Sequence, residues 1–96
     1  MVRLSGDLDL ASAPRLSAQF EKELRGEGDV VVDARDLSFV DVSGCRALLE
    51  VAERLPDRRR LVLAHAPAQL VRILGLCGWL DFPRLVVRPE VIGGTA

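Results

Sequence analysis

Apolar and polar residues follow two different periods along the chain, and these periods predict strands and helices in turn. Residues 1–5 alternate apolar and polar side chains, as a half-buried strand does. Residues 29–34 are almost continuously apolar, which is typical of a strand covered on both faces. Residues 60–65 and 85–87 show short apolar runs of the same kind. The pattern therefore predicts four strands.

The segments between these strands repeat apolar residues every three or four positions, which predicts three amphipathic helices. The first begins at Ser12, the expected N-cap, and ends at Gly26. The second begins at Ser43, and the third begins after Pro67. Regular alternation of strands and helices predicts an α/β domain with right-handed crossovers and a mostly parallel four-stranded sheet packed with helices.

The remaining segments are predicted as connections within one domain that covers residues 1–96. Residues 6–10 are expected to form a loop, and residues 35–38 are expected to form a turn. Residues 89–96 are expected to be a frayed C-terminal tail. The basic run of residues 58–60 is predicted to be a solvated edge before the third strand.

Length and charge restrict the classes of function. A chain of 96 residues has room for one hydrophobic core, and 49% apolar with 28% charged residues is ordinary for a globular protein. The net charge of −1 argues against nucleic-acid binding, which usually needs a basic face. No signal peptide and no apolar stretch of membrane-spanning length is visible. We therefore expect a cytoplasmic protein with neither a nucleic-acid nor a membrane partner.

Patterns that carry chemistry are weak in this chain. Ser43, His65 and Asp41 could be combined into a triad, but no Gly-x-Ser-x-Gly motif surrounds the serine. Asp7, Asp9 and Asp41 could gather around a divalent cation, although carboxylates in such positions more often cap turns or face a partner. No glycine-rich phosphate loop is present. We expect no enzymatic activity, no metal and no cofactor.

The two cysteines, Cys45 and Cys77, lie far apart in the sequence and form no Cys-x-x-Cys pair. Neither a zinc site nor a redox motif is therefore indicated. We expect two buried thiols in a reducing compartment. A regulatory disulfide stays open as an alternative if the helices that carry the cysteines meet.

Residues 37–44, Leu-Ser-Phe-Val-Asp-Val-Ser-Gly, form a polar corner immediately before the second predicted helix. Backbone N–H groups at a helix N-terminus have no helical partner, so the corner suits a capping carboxylate, a hydroxyl or a phosphate. No catalytic constellation accompanies this corner.

Three segments together resemble the STAS domain, the fold of bacterial anti-sigma factor antagonists that also occurs on sulfate transporters. These segments are residues 6–14, residues 37–44 and residues 71–80, and the middle one is the most specific. The resemblance implies a non-enzymatic regulator that binds an anti-sigma factor, often itself a serine kinase, and so releases a sigma factor. In this family the kinase inactivates the antagonist by phosphorylating the serine of an Asp-Ser-Ser/Thr-Gly corner.

The same resemblance implies which residues form the partner-binding face. They are Asp7, Asp9, Asp41, Val42, Ser43, Gly44, Arg46 and Glu50. Aligned through the corner, the family's acceptor serine falls on Val42, and Ser43 occupies the following position. Because valine cannot be phosphorylated, three alternatives remain open: constitutive binding, phosphorylation of Ser43 in its place, or an accessory domain that needs no phosphorylation.

A second departure from the family concerns the first strand. Family members generally carry another strand before the one predicted at residues 1–5, and this sequence lacks it. The unpaired sheet edge favours pairing with a second copy of the chain, so we expect that a homodimer can form there.

The alternative to an antagonist is a STAS scaffold or ligand-sensing module in a signalling complex without direct sigma-factor regulation.

Overall fold

Four parallel strands form one sheet, and their order in space follows their order in the chain. A computed structural model describes residues 1–56 and 58–89. The described strands are β1 (Val2–Leu8), β2 (Val30–Val40), β3 (Leu61–Ala66) and β4 (Leu85–Pro89). The helices between them are α1 (Ala13–Leu24), α2 (Val42–Arg54) and α3 (Ala68–Leu76). The predicted α/β class and parallel sheet are confirmed, while the tail expected beyond Pro89 lies outside the described residues.

The hydrophobic core lies between the sheet and the helices. Alternate strand residues enter it, as the two-residue period of a strand requires: Val30 and Val32 from β2, and Leu61 and Leu63 from β3. Consecutive strands are neighbours in the sheet, and the helices that connect them lie side by side, with α2 in contact with both α1 and α3. Phe20 of α1 contributes a fully buried ring to this core.

The prediction of a loop at residues 6–10 was wrong for residues 6–8, which belong to β1, and the prediction of a turn at residues 35–38 was wrong, because they belong to β2. Both are paired with each other, since Gly6 lies opposite Leu37 and Leu8 lies opposite Val40. Two register shifts interrupt this ladder, and Gly6 has a positive φ of 76°. These irregularities break the alternation of apolar residues, so local sequence shows no strand pattern although the hydrogen-bonding partner is present.

The basic run before β3 does not form a uniformly solvated edge, because Arg59 is buried. Its Nε donates to the carbonyl oxygen of Gly28 at 2.7 Å. Its Nη1 and Nη2 donate to the carbonyl oxygens of Leu24 and Glu23, both at 2.8 Å. A cation at the C-terminal end of α1 is favourable for the helix dipole, so Arg59 fastens that end to the start of β3.

Candidate functional site

The polar corner lies at the C-terminal edge of the sheet, where β1 and β2 end side by side. The backbone N–H of Asp41 donates to the carbonyl oxygen of Leu8 at 3.1 Å, directly after the pair that Leu8 forms with Val40. This edge of an open parallel sheet is the usual place for binding sites, because the loops that follow the strands meet there.

Asp41 is the N-cap of α2. Its backbone is extended, with φ −127° and ψ −179°, and its Oδ1 accepts a hydrogen bond from the backbone N–H of Gly44 at 2.9 Å. The first bond of the helix runs from the N–H of Cys45 to the carbonyl oxygen of Asp41 at 3.0 Å. A carboxylate at this place satisfies an unpaired donor and complements the helix dipole. Asp41 therefore fixes the backbone of the corner and also gives it a negative charge.

Gly44 brings the first turn of α2 into direct contact with the end of β1. It is buried, and a Cβ atom at this position would overlap the carbonyl group and the side chain of Leu8. Gly44 is thus buried, unlike the other residues predicted for partner binding. Its contribution to the corner is the close approach of the two backbones.

One stripe of α2 faces away from the core, with residues spaced four apart along the helix. The side chain of Val42 is 53% exposed, and Arg46 and Glu50 are exposed as well. The guanidinium of Arg46 lies 5.8 Å from the centre of the Trp79 ring, an attractive cation–π arrangement. Ser43, next to Val42, is also exposed.

Asp7 and Asp9 lie at the end of β1, which pairs with the end of β2 just before the corner. Asp7 is exposed and paired in the sheet with Phe39. Asp9 forms a turn in which its N–H donates to Ser12 Oγ at 2.9 Å and its Oδ1 accepts from the N–H of Ser12 at 3.0 Å. Ser12 holds the N-cap position of α1, but its hydroxyl stabilises this turn and makes no hydrogen bond to the helix.

Two exposed apolar side chains near the corner were not among the predicted site residues. Leu10 is 74% exposed and Phe39 is 45% exposed. Phe39 is exposed because neighbours in a strand face opposite sides and Val40 belongs to the core, and this followed only once β2 was seen to extend to Val40. Together with Val42 they give this edge an apolar character between carboxylates, which is typical of surfaces that bind proteins.

The described residues contain no cluster of three or more His, Cys, Asp or Glu side chains that could hold a metal ion. His65 is exposed at the end of β3, and within residues 1–56 and 58–89 it makes no hydrogen bond with Ser43 or Asp41. A catalytic triad is therefore not assembled. No helix of the described segments is long and apolar enough to cross a membrane.

Both cysteines are free thiols. Cys45 follows Gly44 and is fully buried, whereas Cys77, at the end of α3, is half-buried. Burial, with smaller contributions from the nearby Cys77 and Asp41, raises the pKa of the Cys45 thiol to about 12. A thiol with this pKa is almost entirely protonated at neutral pH and is a poor nucleophile.

Comparison with known proteins places the chain in a family. The chain is a member of the STAS domain family, because residues 1–87 match the family model described as "Mlab, STAS domain". Its fold is similar to the structure of the anti-sigma factor antagonist SpoIIAA in its unphosphorylated form, with a TM-score of 0.63 and 20% sequence identity. The match covers 92% of this chain and 77% of that chain. A search of curated proteins found no match. The resemblance stated from the sequence is confirmed.

Proposed function

We propose that this protein is a non-enzymatic interaction module that binds an anti-sigma factor in the cytoplasm and thereby releases a sigma factor. The surface that binds is the docking corner, defined here as Asp7, Asp9, Asp41, Val42 and Ser43, continued along α2 by Arg46 and Glu50. The observation that carries the proposal is the exposed Val42 side chain at the first turn of α2, on a STAS fold similar to that of an antagonist.

The chemistry of the docking corner suits constitutive binding. Val42 presents an exposed apolar side chain directly after Asp41, so a partner can bury it without desolvating a hydroxyl. A phosphate at this place would add charge of about −2 next to the carboxylate of Asp41 and would oppose docking. Since valine has no hydroxyl to phosphorylate, we infer that the partner is not released by modification at position 42.

A charge at position 42 tests the docking corner. We expect Val42→Asp to weaken binding of the purified anti-sigma factor about tenfold or more, because it puts a charged carboxylate, next to that of Asp41, into a surface that the partner must desolvate. The variant should fold normally, since an acidic residue at a helix N-terminus is favourable. Ser17→Asp, on the exposed side of α1, is the control and should bind like the unmodified protein. Equal binding of all three proteins, measured by calorimetry, would contradict the proposed corner.

A phosphorylation assay separates the alternatives for Ser43. The protein is incubated with the anti-sigma kinase and ATP, and phosphate is located by mass spectrometry. We expect no incorporation into the unmodified chain and incorporation at position 42 in Val42→Ser. Phosphate on Ser43 would replace constitutive binding with a switch shifted by one residue. A Val42→Ser variant that binds the kinase and stays unmodified would show that the family's acceptor does not map onto position 42.

A second function is favoured by the same valine. A STAS module that assembles a larger signalling complex needs no phosphorylation, and the loss of the acceptor hydroxyl is expected in such a module. Affinity capture from the native host distinguishes the two, followed by mass spectrometry and binding assays with the purified candidates. A histidine-kinase-like ATPase domain whose sigma factor is displaced supports the antagonist. Binding only to scaffold or membrane proteins supports the second function.

A further inference from the structure

One face of the sheet has no helix packed on it in the described part of the chain. Val30 and Val32 of β2 belong to the core, which they share with the buried residues of α1, α2 and α3. Neighbours along a strand point to opposite faces, so Val31 lies on the face turned away from the helices, which is named here the open face. All-parallel sheets occur almost only with both faces covered. The open face is therefore a place where a further layer can pack.

A row of three valines crosses the open face. Val31 lies opposite Val62 in the sheet, and Val62 lies opposite Val86. None of the three belongs to the hydrophobic core or to the apolar side chains packed against it. Val31 and Val86 are half-buried, and Val62 between them is buried. The two outer valines can therefore bury further apolar surface against a partner.

Two arginines flank the valine row, one on each outer strand. Arg3 of β1 lies opposite Asp33 of β2, and strand alternation places both side chains on the open face. Arg88 of β4 lies two positions beyond the last valine of the row and so points to the same face. The pKa of Asp29, two positions before Val31, is lowered chiefly by a backbone hydrogen bond and in smaller part by the charge of Arg88. This influence across the sheet agrees with the placement of Arg88 on the open face.

The open face carries positive charge that the described part of the chain leaves without a partner. Its carboxylates already form ion pairs at 3.2 Å, Asp29 with Arg60 and Asp33 with Arg35. Within residues 1–56 and 58–89, the guanidinium groups of Arg3 and Arg88 make no ion pair and no hydrogen bond. Both arginines are exposed, so their charges are available to a partner.

We infer that the open face binds an acidic amphipathic helix of a partner protein. Neighbouring strands lie about 4.8 Å apart, so Arg3 on β1 and Arg88 on β4 are separated by about 14 Å across the sheet. A helix about 10 Å wide fits between them over β2 and β3, with its apolar stripe on the valine row. Carboxylates on the two flanks of that helix can then pair with the two guanidinium groups. This inference goes beyond the proposed binding of an anti-sigma factor and does not depend on it.

A symmetric dimer through the open face is disfavoured by the same charges. A second copy would bring its own Arg3 and Arg88 into the interface, whereas the carboxylates of the face are already paired. Like charges placed together in an interface oppose association. An acidic helix instead supplies the negative charge that pairs with both arginines.

Three designed peptides of about 18 residues, or about 27 Å of helix, test the inference. The first has leucines along one stripe and glutamates on both flanks. The second has lysines in place of the glutamates, and the third has the composition of the first in an order without a stripe. Binding is measured by calorimetry and by methyl shifts in NMR spectra. We expect the first peptide alone to bind saturably and to shift the methyl signals of Val31 and Val86.

Paired variants then locate the site. The double variant Arg3→Glu with Arg88→Glu should weaken binding of the first peptide about tenfold or more, because it reverses both flanking charges. Arg25→Glu with Arg72→Glu changes the net charge equally at exposed positions at the end of α1 and on α3, so this control should bind like the unmodified protein.

Several outcomes would overturn the inference. They are the absence of saturable binding by the first peptide, equal binding of either control peptide, and equal loss of affinity in the two double variants. A peptide that binds only to a chain shortened to Pro89 would show that residues 90–96 occupy the face instead. A dimer of the unmodified protein that Arg3→Glu with Arg88→Glu disrupts would assign the face to a second copy.

Discussion

Gly44 determines how closely α2 approaches β1, and so it determines the geometry of the docking corner. We expect Gly44→Ala to destabilise the protein by about 1–3 kcal/mol, because the new methyl group meets a backbone carbonyl that cannot move aside. Gly75→Ala in α3 is the matched control. There the methyl would lie 3.3 Å from the flexible end of Leu80, and alanine favours the helix. Urea denaturation compares the two variants, and equal stability would contradict the close approach.

The two thiols should differ in reactivity because their surroundings differ. At about pH 8 we expect a thiol reagent such as Ellman's reagent to modify Cys77 readily and Cys45 only after unfolding, since thiolate is the reactive form. Because the pKa of Cys45 is raised to about 12, its thiol should also be slow to attack an oxidised Cys77. In Cys77→Ser the rapid phase should disappear. A rapid phase that persists in this variant would show that the Cys45 thiol is accessible.

At the scale of elements, Arg59 connects the end of α1 with the start of β3. We expect Arg59→Lys to lower the free energy of unfolding by about 2 kcal/mol or more. An ammonium group cannot reach three carbonyl oxygens that a planar guanidinium reaches together. Arg58→Lys, at the exposed neighbouring position, should have little effect. If chemical denaturation shows a similar loss of unfolding free energy in both variants, the three hydrogen bonds of Arg59 contribute little to stability.

Elements with a local pattern could be predicted from the sequence, and features that depend on distant partners could not. The apolar repeat of Leu16 and Phe20 marked the buried face of α1, and both residues are in the core. Arg59 looked like any surface arginine, because the carbonyls that it binds lie 31 to 36 positions earlier. The pairing of Gly6 with Leu37 was missed for the same reason, since only the neighbouring strand reveals it.

The candidate site likewise has features that could be predicted from the sequence and features that could not. The corner motif predicted a helix start that suits a capping carboxylate, a hydroxyl or a phosphate, and in the structure the carboxylate of Asp41 is the cap. The close contact between Gly44 and Leu8 had no sequence signal, because it exists only once α2 packs against the end of β1. The partner-binding role of the corner stays a prediction that rests on exposure, charge and family.

At the scale of the whole molecule, the strand order leaves β1 at one edge of the described sheet. That edge is partly protected, because Gln19 donates to the carbonyl oxygen of Arg3 and two register shifts interrupt the strand. Such irregularities and side-chain caps are the usual protection of an edge strand against pairing with another chain. Dimerisation through β1 therefore stays a prediction, and we expect it to be weak.

Removal of the side-chain cap makes that prediction testable. We expect Gln19→Ala to associate more strongly than the unmodified protein in sedimentation equilibrium, because the carbonyl of Arg3 becomes available to a second copy. Ser17→Ala on the same helix is exposed and makes no such hydrogen bond in the described part of the chain, so it should sediment like the unmodified protein. If all three proteins remain monomers at the highest concentrations at which they stay in solution, the β1 edge does not pair with a second copy and the predicted dimer is wrong.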